Sequence, residues 1–116
     1  MKIKVTETIK NYEGKELLEK INDKEIPMTW KSIIFTALQN FTKEEQNSLS
    51  PDTKIKCHII TERVYSSDEP DLTVQERAFI IERINKIIIS PLICGRAKEF
   101  FEEKKEDKNG TSTENR

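Results

Sequence analysis

The stretch from Leu72 to Ile89 constrains this chain more than any other. Thr73 is followed three residues later by Glu76, a capping box in which each side chain satisfies a backbone N–H at a helix start. On a wheel of about 100° per residue, Val74, Ile80, Ile81, Ile84, Ile87 and Ile88 share an arc of about 140°. Gln75, Glu76, Glu82, Arg83 and Lys86 fall on the opposite side. An arc that wide, built largely of isoleucine, predicts a helix covered by more than one neighbour. Two residues break the plan. Phe79 projects at about 40°, among Glu76 and Arg83, whereas Arg77 falls near 200°, inside the apolar arc. An exposed phenylalanine marks an interface and a buried arginine needs a partner. The plainer alternative has Arg77 snorkelling past the helix end while Phe79 meets the N-terminal hairpin.

Upstream, residues 1–9 alternate apolar Ile3, Val5 and Ile9 with Lys2, Lys4 and Thr6, the period of a half-buried strand. Asn11-Tyr12-Glu13-Gly14 supplies turn chemistry. Lys15 to Ile26 is open between a return strand and a helical turn, and a hairpin with an irregular second arm is the preferred reading. After Pro27, Thr29 caps a helix from Trp30 to Asn40, with Met28 and Ile33 placed as a hydrophobic staple. Trp30, Ile33, Ile34, Ala37, Leu38 and Phe41 form its inward face. Thr42 to Glu45 is a second capping box that opens a short turn. Ser50-Pro51 reads as an N-cap with proline at the first helical position, starting a helix to about Tyr65 with Cys57, Ile60 and Val64 inward and Ile59 beside them. Ser66 to Asp71 is a polar turn. Ser90-Pro91 then ends the isoleucine-rich helix and starts another, Leu92 to Lys104. Lys105 to Arg116 contains no large apolar residue and is expected to be a disordered charged tail.

Little in the chain points to bond-making chemistry. His58 is the only histidine and stands beside Cys57, far in sequence from Cys94, with no Cys-x-x-Cys pair to build a zinc site. Cys94 lies near a predicted helix start, where the dipole lowers a thiol's pKa, yet a small buried residue at a tight junction explains it as well. Asp68, Glu69 and Asp71 lack the central glycine and twelfth-position glutamate of a calcium loop. Three glycines leave no phosphate-cradling loop. No catalytic residue, metal or cofactor is therefore assigned.

With 20 basic and 21 acidic residues the net charge is −1, so no overall field selects nucleic acid or an anionic membrane. Lys54, Lys56 and Arg63 on the helix before the central one are the candidate nucleic-acid contacts, although acids interleave them. Nothing approaches the roughly 18 apolar residues of a membrane-spanning helix. The N-terminus lacks the hydrophobic region of a signal peptide. Two cysteines do not make a disulfide framework, and a cytoplasmic location follows as the expectation.

Several of these segments together resemble a known group. A short strand is followed by a turn ending Glu13-Gly14-Lys15, then an apolar helix, then Leu72-Thr73-x-x-Glu76. Ser90-Pro91-Leu92-Ile93-Cys94-Gly95-Arg96 and Glu99-Phe100-Phe101-Glu102 complete the pattern. It resembles small accessory proteins encoded by tailed phages and prophages, over most of residues 1–103. The resemblance implies a phage setting and carries no catalytic signature. The extended Lys15–Ile26 segment and the charged tail depart from it.

The expectation is an α+β fold, an N-terminal β-hairpin followed by about four packed α-helices, with one compact domain over 1–104. The expected function is that of a non-enzymatic phage or prophage accessory protein in the host cytoplasm. It binds another protein, a second copy of itself included, and Phe79, Arg77 and Tyr65 are the candidate contacts. The alternative is a small DNA-binding or transcription-related factor using Lys54, Lys56 and Arg63. A weaker third reading is a sponge that sequesters a nucleotide signal between subunits.

Overall fold

The computed structural model describes residues 1–102. It is an α+β chain: β1 (Leu18–Ile21) and β2 (Lys24–Pro27) form an antiparallel hairpin, followed by α1 (Trp30–Gln39), α2 (Lys43–Ser48), α3 (Pro51–Tyr65), α4 (Val74–Ile87) and α5 (Pro91–Glu102). The expected tail over 105–116 lies outside the described residues.

Across the expected turn Lys10 and Glu16 form an isolated antiparallel bridge and Leu17 donates to Ile9, while the two-stranded hairpin lies further along the chain. Its turn is Asn22-Asp23, both at positive φ (52° and 66°), the geometry of a two-residue turn whose twist matches the flanking strands. Leu18 pairs with Pro27, Glu19 with Ile26, Lys20 with Glu25 and Ile21 with Lys24. Asn11 to Gly14 does turn, with Gly14 at φ 83° and the Asn11 side chain accepting from the amides of Glu13 and Lys15. The segment before it is no continuous strand, because its amides find different partners in succession. Ile3 donates to Pro70, Val5 to Asp68 and Ile9 to Met28. Its alternation still holds, since Ile3, Val5 and Ile9 are all buried.

Each helix starts where its cap stands. Thr29 accepts from the Ser32 amide, and the Thr42–Glu45 and Thr73–Glu76 boxes are closed in both directions. Ser50 accepts from Thr53 ahead of Pro51. α1 packs against α3 and α4, and α4 against α5, so α1 and α4 together hold the centre. The core is built from Ile34, Leu38, Ile60, Val64, Ile80, Ile84 and Phe101. At one end Trp30 stacks on Phe100 (5.0 Å, 12°) with Phe101 edge-on to both rings.

α4 is rotated relative to the arc read from its sequence. Its buried residues are Arg77, Ile80, Arg83 and Ile84, a stripe displaced by about 40° from the middle of the isoleucine arc. Val74, expected inside, is exposed, and Arg83, expected in solvent, is buried. On α3, Cys57, Ile60 and Val64 face inward as expected, while Ile59 is exposed.

Arg83 explains the rotation. Its Nε donates to the Ala37 carbonyl (3.3 Å) and its Nη2 to the Asn40 carbonyl (2.7 Å), both at the end of α1. Those carbonyls have no partner within their own helix. The same guanidinium bonds the Glu45 carboxylate of the α2 capping box and lies over the Phe41 ring. One side chain thus closes the corner between α1, α2 and α4, and the energy of those bonds draws that side of the helix inward.

Candidate interaction surface

α1 and α3 lie side by side, and their outer faces bring two aromatic rings together. Phe35 projects from the polar side of α1, between Lys31 and Gln39 along the helix. Tyr65 is the last residue of α3. The rings meet edge to face with centroids 5.8 Å apart, a favoured aromatic geometry. Phe35 remains 46% and Tyr65 50% exposed. The ammonium of Lys31 stands 5.1 Å from the Tyr65 ring centre, a cation–π contact on the same patch.

The hairpin extends this surface. Glu19 on β1 accepts a hydrogen bond from the Ser32 hydroxyl of α1 (2.9 Å). Ile26 pairs directly with Glu19, and Ile21 lies two residues along β1, so both share its face of the hairpin. Both are exposed. The Tyr65 phenol is pushed above its ordinary pKa, first by burial and then by the charge of Glu19.

The other residues singled out from the sequence do not join this patch. Arg77 is 5% exposed; its Nη1 reaches the Met1 thioether and its Nε has no hydrogen-bond partner. It lies beneath the N-terminal segment rather than past the helix end, and presents nothing to solvent. Phe79 is half-buried and faces α3 rather than the hairpin, with the Lys56 ammonium 4.4 Å from its ring centre. Of the three candidate nucleic-acid contacts, Lys56 is held over Phe79 and Arg63 is paired with Glu76, while Lys54 is exposed.

A hollow of about 500 Å³ lies between the 7–14 loop and α5. Its Arg96 is engaged in closing that loop, donating to the carbonyls of Lys10 and Asn11 and to Glu99, and lying over the Tyr12 ring. Trp30 and Phe100 at its base are buried. Burial raises the pKa of both thiols, Cys57 and Cys94, which keeps them protonated at neutral pH. His58 faces water, its Nε2 3.6 Å from Glu62 on the same helix. Among the described residues no three histidine, cysteine or acidic side chains gather as a metal would require. No described helix is long and apolar enough to cross a membrane.

No protein-family model, no curated protein and no solved structure matches this chain. The surface is judged on its own chemistry. Of its two aromatics, Tyr65 was visible in the sequence as an aromatic at a helix end. Phe35 carries the same signal as Phe79, a large ring on the polar side of an amphipathic helix, but the inward face of α1 hides it from an apolar-periodicity reading.

Proposed function

We propose that this protein is a non-enzymatic accessory factor of a tailed phage or prophage, acting in the host cytoplasm by binding another protein. The Phe35–Tyr65 surface is the contact. The observation that supports this is the pair of touching rings left half open to water, near Glu19 of the hairpin face that also carries exposed Ile21 and Ile26. Aromatic anchors of this kind carry a disproportionate share of binding energy where proteins meet. Lys31 and Glu19 supply one charge of each sign at the edge of the patch, suited to fixing the orientation of a partner whose apolar side chain covers the rings. The mechanism is occupation of a partner's surface, with no bond made or broken.

The test is a paired capture from host extract with the wild-type chain and a Phe35→Ser/Tyr65→Ser double variant. A protein retained by the first and lost by the second, with both chains folded as judged by circular dichroism, is the expected result. Identical sets of retained proteins would defeat it. Duplex DNA bound at low salt and released steeply as salt rises would put the DNA-binding alternative in its place.

A further inference from the structure

Among the described residues, the Arg77 Nε is the buried side-chain polar atom that bonds nothing. The residue is 5% exposed, and its Nη1 donates to the Met1 sulfur at 2.8 Å. A thioether is a weak acceptor, so a buried cation is left with donors it cannot satisfy. The sulfur is kept there by the backbone that carries it. Leu72, itself fully buried, donates to the Met1 carbonyl (2.9 Å), and Lys2 bridges Asp71. The Met1 side chain is nevertheless 18% exposed, so it is not sealed from a small solute.

What this guanidinium lacks is an oxygen, and the atom beside it can acquire one. We propose that Met1 is a sulfoxidation site whose oxidised form is bound by Arg77. With hydrogen peroxide, a sulfur lone pair attacks one oxygen; the S–O bond forms and the O–O bond breaks. The hydroxide that leaves takes the proton from the transferred oxygen and becomes water. Sulfur loses two electrons and the peroxide gains them. Sulfur has a second lone pair, so one reacts while the other faces Nη1, and rotation about Cγ–Sδ then turns the oxygen to the guanidinium. An unbranched, partly exposed side chain has the freedom to make that room. Oxidation of a packed methionine ordinarily sets a dipole among apolar groups and weakens the fold, as expected for Met28 against the core. At Met1 the sign is reversed, because the new oxygen meets a charged donor in need of an acceptor. The site shares no residue with the Phe35–Tyr65 surface.

The test uses the full chain carrying Met28→Leu, which leaves Met1 as its one methionine. The chain is treated with hydrogen peroxide, then with a dithiol that restores Cys57 and Cys94 and spares a sulfoxide. Peptide mass locates the added oxygen. The oxidised chain is expected to melt about 4 °C above the untreated one. Arg77→Leu in the same background should turn that rise into a fall. The Arg77 Nε–H signal should also shift in the NMR spectrum on oxidation, a readout that stands even where Arg77→Leu does not fold. A chain that resists oxidation at Met1, an oxidised chain that melts no higher, a rise that persists in Arg77→Leu, or an unmoved Arg77 signal overturns the proposal.

Discussion

Towards the end of α4, Arg83 is 4% exposed and bonded to two carbonyls and a carboxylate. Near the start of the same helix, Arg77 is almost as deeply buried and has only a thioether for company. The contrast teaches where a buried cation is stable. Arg83 reaches the end of another helix, where carbonyls lack partners, and a carboxylate already oriented by its own capping box. Arg77 sits in the first turn of α4, under Met1, and bonds no carbonyl or carboxylate. A thioether is a weak acceptor, so its desolvation is poorly compensated.

Substitution should separate the two sites by sign. Arg83→Met leaves the α1 carbonyls without a donor and the Glu45 carboxylate with only Lys86 and the Thr42 amide, and should lower stability by about 2–3 kcal/mol in chemical denaturation. A loss under about 1 kcal/mol would mean that water replaces the guanidinium at no great cost.

Acid gives the second way to break the comparison. The Arg83 hydrogen bond is the main cause that holds Glu45 down, from the ordinary 4.5 to about 2. The folded chain then binds fewer protons than the unfolded one between those values, so this stabilisation is complete above about pH 4.5 and is lost as the pH falls through about 2. Glu45→Gln should flatten the acid limb of a stability–pH curve over that window. An unchanged limb would place the acid sensitivity elsewhere.

Arg77→Met should do the opposite of its counterpart and raise stability by about 1 kcal/mol, because it removes an unpartnered buried Nε. A clear loss in thermal melts would reveal an acceptor for Arg77 in solution. The smallest effect belongs to the surface. Tyr65→Ser should lower stability by about 0.5–1 kcal/mol, through the lost ring contacts, while weakening partner capture.

The same contrast accounts for what could be read from the sequence. Local chemistry was legible: Thr29, Thr42, Ser50 and Thr73 each begin a helix where they stand, and the inward faces of α1 and α3 follow their apolar spacing. Arg83 was not, because periodicity assigns every charge to solvent and cannot see acceptors supplied by residues some forty positions away. The rotation of α4, and with it the exposure of Val74, followed from that one omission. Gly14 does turn the chain back, closing an antiparallel bridge between Lys10 and Glu16, but the two-stranded hairpin turns at Asn22-Asp23, where no glycine marks the positive φ. Of the proposed contact surface only Tyr65 was anticipated. Its pairing with Phe35 depends on α1 lying against α3, which no local pattern encodes.

The corner closed by Arg83 also bears on how the chain is made. Ala37, Asn40 and Glu45 leave the ribosome well before the guanidinium that joins them. Until then the end of α1 is hydrated, and the first two helices have no fixed angle between them. Synthesis from the N-terminus therefore produces a hinge first and a rigid elbow only when α4 arrives.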